Sequence, residues 1–299
     1  MKNGTSHMGR LPLVDAPAAS KPSTLSIEND EYRKKRCHMV VHAPEPSSAS
    51  ELPNVTVLSG GSVSAPEAER VAFSVGRVLA HRGISEGARV RLTTANYGDG
   101  AVLVQVNFQV RDSATRLQTV IAGHHDLPTA LLRLDRQIVR LCTQWRPRPW
   151  PDHTRRMLTA VPGGVISRRK PAPLLRGTPL AAVAMMDAMD YDVHLFTDAE
   201  TGEDAVVYRA GPSGLRLARQ RRMYPPGWSW APATGAPQVP LIVNSRPTPT
   251  FSEADAVHWL CAHNLRFLFF SDPETGRGHL LYARHDGNLG LIRPDLRRE

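Results

Sequence analysis

Two stretches decide the fold: FTDAETGEDAVVYR, running from Phe196 to Arg209, and FSDPETGRGHLLYAR, running from Phe270 to Arg284. Each has an aromatic run, an acidic Glu-Thr-Gly turn and a second apolar run. That is the order expected of a β-hairpin whose glycine supplies a positive φ. Setting Asp198 on Asp272 gives an offset of 74 residues that holds without a gap from Thr178/Ser252 to Gln220/Pro294, with 12 identities in 43 pairs. A calcium loop needs more regularly spaced oxygen ligands than these carboxylates offer, so the turn is expected to serve geometry.

Working outward, RKPAP (Arg169 to Pro173) pairs with SRPTP (Ser245 to Pro249) at an offset of 76, which implies a two-residue insertion. Each copy reads as a strand, a helix (Leu180 to Met189; Glu253 to His263) and three short strands. The expectation is two small β-α-β-β-β repeat domains, 165–222 and 239–299. A Pro/Gly/Trp-rich linker, 223–238, separates them, and a Pro/Arg linker, 147–164, precedes the first.

Residues 38–146 read as a separate α+β domain. VTVLSG (Val55 to Gly60) is a strand. Ser64 as N-cap, Glu67 three residues on and Gly83 as the stop bound an amphipathic helix. Its apolar positions Ala68, Val71, Ala72, Val75, Val78 and Leu79 share one face. Three period-two stretches follow, 88–94, 102–111 and 114–123, the first two joined by the turn sequence NYGDG. A second helix begins near Asp126 with the stripe Leu127, Leu131, Leu134, Ile138 and Leu141. The predicted order is β-α-β-β-β-α, two helices on one face of a four-stranded sheet covered on that side only. Residues 1–37 have no periodicity and are expected to form a disordered basic arm carrying RKKR at Arg33 to Arg36.

The net charge is +9. The segment from Trp145 to Arg176 holds eight Arg/Lys against one acid, which favours a polyanion over a small metabolite as partner. Arg133, Arg136 and Arg140 form a basic stripe on the second helix. Arg70 and Arg77 reinforce it from the first, and it runs into Arg146 and Arg148. Guanidinium groups at that density suit phosphate, so these seven are the candidate RNA-binding residues. Phe196, Tyr208, Phe270 and Tyr282 are the candidates for an interface pairing the two repeats.

No catalytic constellation can be assembled. His124-His125 lacks a third ligand, and SGGSVS (Ser59 to Ser64) lacks the Gly-Lys-Ser/Thr ending of a phosphate loop. Cys37, Cys142 and Cys261 have no paired spacing, which argues against a disulfide framework and a zinc site. We expect a non-enzyme without cofactor or metal. No apolar run is long enough for a membrane span, so a soluble cytoplasmic location is expected.

These residues resemble the long form of the ribosome hibernation promoting factor family, of the S30AE type, over about residues 38–296. The last helix of that family's first domain commonly reads Lys-Leu-Glu-Arg-Gln-Leu-x-Lys, and RLDRQIVR stands at Arg133 to Arg140. Its C-terminal domain carries a Glu-Thr-Gly turn, a Val-Val-Tyr-Arg strand and Asp-Gly-Asn-x-Gly-Leu-Ile-x-Pro. The matches are Glu200 to Gly202 with Val206 to Arg209, and Glu274 to Gly276 with DGNLGLIRP at Asp286 to Pro294. Two copies depart from the usual one and look like the mycobacterial dormancy-associated translation inhibitors. The resemblance implies a first domain in the decoding channel of the small ribosomal subunit, blocking mRNA and tRNA and stabilising idle ribosomes under stress. It also implies a C-terminal dimerisation module. Two copies on one chain are expected to pair with each other, or across a homodimer, the former favouring single ribosomes. The competing expectation is a basic RNA-binding module that associates with ribosomes through charge alone.

Overall fold

A computed structural model describes residues 39–42, 52–59, 63–94, 101–110, 113–123, 126–143, 158–210, 214–231 and 241–295. The N-terminal arm, the NYGDG turn, His124-His125, Arg146 and Arg148 lie outside them. The first domain is built from β1 (Met39–His42), β2 (Val55–Ser59), α1 (Ala65–His81), β3 (Ala88–Thr94), β4 (Val102–Val110), β5 (Ser113–Ile121) and α2 (Leu127–Cys142). Its sheet has five strands in chain order, one more than expected, because β1 pairs antiparallel along the outer edge of β2. β2 and β3 run parallel, with α1 as the crossover between them, and the remaining pairs are antiparallel.

Local sequence sets these elements. The Glu67 carboxylate reaches back to the Ser64 backbone N–H at 3.0 Å, closing the N-terminal turn of α1. Gly83 ends the helix at φ +69, a conformation that carries little strain only without a Cβ. Ala68, Val71, Ala72, Val75 and Leu79 of α1 and Ala130, Leu134 and Ile138 of α2 share one core with Val57, Val90, Val104 and Phe108 of the sheet. The opposite sheet face is largely polar, as period two requires, with Leu103 buried on it.

The remaining elements are β6 (Ile166–Ala172), β7 (Arg176–Gly177), α3 (Pro179–Ala188), β8 (Val193–Asp198), β9 (Asp204–Arg209), β10 (Leu215–Arg219), β11 (Ser229–Trp230), β12 (Leu241–Val243), α4 (Glu253–Ala262), β13 (Phe267–Ser271), β14 (Gly278–Ala283) and β15 (Leu289–Pro294). They form two sheets, ordered β11-β12-β10-β9-β8-β7 and β13-β14-β15-β6. The first strand of each repeat has therefore crossed over. β6, from the first copy, lies parallel to β15 of the second, and β12, from the second, lies parallel to β10 of the first. Neither repeat is closed on its own sequence. Prolines mark both crossovers: Pro171 sits within β6 and Pro173 just after it, and Pro247 and Pro249 follow β12, which favours extended chain leading out of each exchanged strand.

Each sheet has one face under its helix and the other on its twin. Ala182, Val183 and Met186 of α3 pack on Phe196, Val207 and Leu217, and Ala256 and Leu260 of α4 pack on Phe270, Leu281 and Leu291. A third cluster, Leu195, Val206, Ala218, Phe269 and Leu280, lies between the sheets. Leu195/Phe269 and Val206/Leu280 are corresponding positions at the offset of 74. The result is a four-layer helix–sheet–sheet–helix module with a pseudo-two-fold relation.

Candidate nucleic-acid interface

The two helices of the first domain present arginines outward. Arg70 and Arg77 of α1 and Arg136 and Arg140 of α2 are exposed. The Arg77 guanidinium lies 5.8 Å from the centre of the Phe73 ring, itself about half exposed. Leu132 and Val139 are exposed beside Arg136 and Arg140 on α2. Guanidinium groups interleaved with apolar and aromatic side chains offer both phosphate contact and a platform for a ring. Between the helices runs a groove of about 510 Å³ lined by Leu52, Arg77, Val78, His81, Leu131 and Asp135. Arg82 ties the helices together, its Nε and Nη2 each donating to the Asp135 carboxylate at 2.6 Å. That hydrogen bond holds the Asp135 carboxyl below the usual carboxylate range.

Arg133 does not join this row. It is half-buried, and its Nη1 donates to the Thr119 hydroxyl on β5, so its guanidinium is aimed at the sheet edge rather than outward. Arg140, seven residues on, lies at nearly the same angle around α2, so it is the Thr119 hydroxyl within reach of Arg133 that sets the two apart.

A second basic surface was legible only in part. The sheet face away from the helices carries Arg89 and Arg91 on β3, Gln105 and Asn107 on β4, and Arg116 and Gln118 on β5, directly across from one another. Asn107 Oδ1 accepts from Arg116 Nε at 2.6 Å, and Gln118 Oε1 accepts from Gln105 Nε2 at 2.7 Å. Alternation puts the polar members on one face, but it cannot show that β6 approaches them. Lys170 of β6 is near enough to Arg116 to feel its charge: burial first, then the guanidiniums of Arg168 and Arg116, push the Lys170 ammonium below the ordinary lysine value. The first repeat is anchored at this edge. The Gln118 backbone N–H donates to the Asp190 carboxylate at 2.5 Å, and Gln137 Nε2 of α2 donates to the Asp187 carbonyl at 3.1 Å. Asp190 has φ +55 and its counterpart Asn264 +49, the left-handed position just past the end of each repeat's helix.

The four aromatics proposed for the repeat interface separate. Phe196 and Phe270 are fully buried on the helix-facing side of their sheets and do not reach the neighbouring repeat. Alternation is the reason, since Leu195 and Phe269, one residue earlier, take the inward-facing places. Tyr208 does reach across, its ring meeting Phe267 edge-on at 5.2 Å and its hydroxyl donating to Asn244 at 3.0 Å. Tyr282 lies over its own sheet, where a Cβ on Gly290 would come within 2.4 Å of the ring.

The acidic turns also do more than shape a bend. Asp198 is fully buried and, with Glu200, holds Arg219 at 2.7 and 2.9 Å. Across the repeats, Asp204 accepts from Arg277 Nε at 2.8 Å and Nη2 at 3.1 Å and from the Gly278 N–H at 2.8 Å.

Comparison with known proteins gives two results. A family profile described as sigma 54 modulation/S30EA ribosomal protein C terminus matches residues 163–217. Two curated proteins named dormancy associated translation inhibitor, from Mycobacterium tuberculosis strains CDC 1551 and H37Rv, are each 64% identical over 260 residues, 87% of this chain and 95% of theirs. The chain belongs to the ribosome hibernation factor family. In this hibernation factor the matched stretch runs from just before β6 to β10, and so takes in the strand that the structure builds into the opposite sheet. No helix among the described residues is long and apolar enough to cross a membrane.

Proposed function

We propose that the chain is a ribosome-associated inhibitor of translation whose first domain occupies the decoding channel of the small subunit and excludes mRNA and tRNA. The observation that carries this reading is the near full-length identity to relatives named for translation inhibition. The RLDRQIVR motif and the exposed guanidiniums of Arg70, Arg77, Arg136 and Arg140 support it physically, since ribosomal RNA is recognised largely by shape and backbone charge. Arg146 and Arg148 extend the same basic run in sequence. A map of the ribosome with the chain bound tests it: residues 38–146 in the decoding channel is the expected result, and any other location overturns it. The charge-only alternative predicts diffuse protection of ribosomal RNA that disappears at moderate salt.

The tandem repeats pair within one chain, which keeps inhibited ribosomes single. The support is chemical asymmetry across the pseudo-two-fold. Asp204 meets Gly278 and Arg277 of the other repeat. A homodimer through first repeats would set Asp204 against Asp204 and Glu203 instead. One through second repeats would leave Arg277 without this carboxylate. Like charges brought together out of water cost several kcal/mol, so pairing of unlike copies is selected. Sedimentation of ribosomes with added protein is expected to give one undimerised peak. A strong ribosome-dimer peak, lost when Asp204→Arg is introduced, would sink this arrangement.

A further inference from the structure

In the first repeat, Asp198, Glu200 and Arg219 form a closed cluster. The Tyr224 ring lies 5.7 Å over the Arg219 guanidinium. The Trp230 indole N–H donates to the Glu200 carboxylate at 2.9 and 3.0 Å. Trp230 is carried by β11, which lies antiparallel on β12. The same three positions of the second repeat are Asp272, Glu274 and Arg293. They border an open cavity of about 480 Å³ instead, together with Glu253, Arg277 and His279. Arg293 turns to Glu253 at 3.6 Å, and the Asp272 carboxylate accepts from the N–H and hydroxyl of Thr275 in its own turn. His279, 5% exposed, brings into the cavity wall a ring whose Nδ1 has no hydrogen-bond partner. β6 holds here the place that β12 holds in the first sheet, parallel to the last hairpin strand, and it is the outermost strand.

We propose that this cavity binds a tryptophan side chain on an extended segment of a protein partner, the indole N–H going to the Glu274 carboxylate and the segment lying against β6. The chain's own first repeat shows the chemistry, since the same acid–acid–arginine set there takes an indole. Charge points the same way. Three carboxylates line the cavity, and of its two guanidiniums Arg277 is held by Asp204, which disfavours an anionic ligand. A neutral ring with one N–H donor satisfies the exposed Glu274 and can lie over Arg293. The inference uses neither the first domain nor the ribosome, so it stands or falls independently of the translation reading.

The test uses the full chain and a synthetic, end-blocked peptide of residues 223–232, MYPPGWSWAP, as probe. Saturable binding with amide shifts at Glu274 and Thr275 is expected. A hydrogen bond to a charged group implies roughly tenfold or greater weakening by Glu274→Gln, and the same loss with a Trp230→Ala peptide. Glu274 is exposed, so that variant folds; Arg293→Gln is a second, expected to weaken binding several-fold. No saturable shift up to millimolar peptide overturns the proposal. So does binding indifferent to Glu274→Gln, which would place the peptide in the first repeat by displacement of its own Trp230.

Discussion

Asp204 and Gly278 occupy the same place in two copies 74 residues apart, and they touch: the Gly278 N–H donates to the Asp204 carboxylate at 2.8 Å. A residue in contact with its own counterpart marks the pseudo-two-fold axis. At that point the two copies differ in charge, since Glu203 and Asp204 stand where the second has Arg277 and Gly278, and Arg277 closes over the Asp204 carboxylate, which is 2% exposed. Symmetry of fold is retained there while symmetry of chemistry is broken.

Asp204→Arg is therefore expected to destabilise the C-terminal module by about 3 kcal/mol, the scale for removing one partner of a buried ion pair. Arg277→Asp alone should cost a comparable amount, since it sets a second carboxylate against the buried Asp204. Combined, the two should recover part of the loss. A double-mutant cycle of thermal unfolding measures this, and strict additivity would show that the pair does not couple.

Gly278 is expected to tolerate no side chain. A Cβ there would lie 2.7 Å from the Cβ of Asp204 and 2.7 Å from the Phe269 ring. Gly278→Ala should cost on the order of 1–3 kcal/mol by overpacking and raise hydrogen exchange in β9 and β14 together. Exchange confined to β14 would show that the sheets do not depend on each other.

Acid should loosen the first repeat through His194. It lies on the helix-facing side of β8, where the second repeat has Leu268, and burial pushes its pKa down to about 4. Unfolded histidine takes up its proton near 6.5, so between about pH 6.5 and 4 the unfolded chain holds more protons. Stability is then full above that window and falls as pH drops through it, by at most about 3 kcal/mol. His194→Leu should flatten unfolding temperature against pH over the same interval.

Much of this was readable beforehand. Helix bounds, the hairpin glycines and the 74-residue repeat follow from local rules: capping, positive φ and periodicity. The crossing of β6 and β12 was not readable, because a strand's sequence states which face is apolar and says little about which neighbour it joins. The same limit explains Phe196 and Phe270. Aromaticity singled them out, but parity along the strand assigns the interface to Leu195 and Phe269. Arg133 shows a third case, where helical spacing placed it with Arg136 and Arg140 but Thr119 on a distant strand draws it aside.

RNA affinity should divide between two surfaces. Arg136→Gln with Arg140→Gln is expected to reduce the slope of log affinity against log salt by roughly 1.4 on a single-stranded RNA, about 0.7 for each phosphate contact. Arg168→Gln with Lys170→Gln tests the surface formed with Arg116. A comparable fall shows that it too meets phosphate, and an unchanged slope confines RNA contact to the helices.

The exchanged strands make the repeats interlocked rather than merely adjacent. A protease cut between Ala231 and Leu241 would leave one fragment holding β6, which the other fragment's sheet needs, and the other holding β12, which the first sheet needs. The nicked protein should therefore travel through gel filtration as a single particle and come apart only on denaturation, like two hooks clasped through each other. A truncation meant to remove one repeat removes a strand from both.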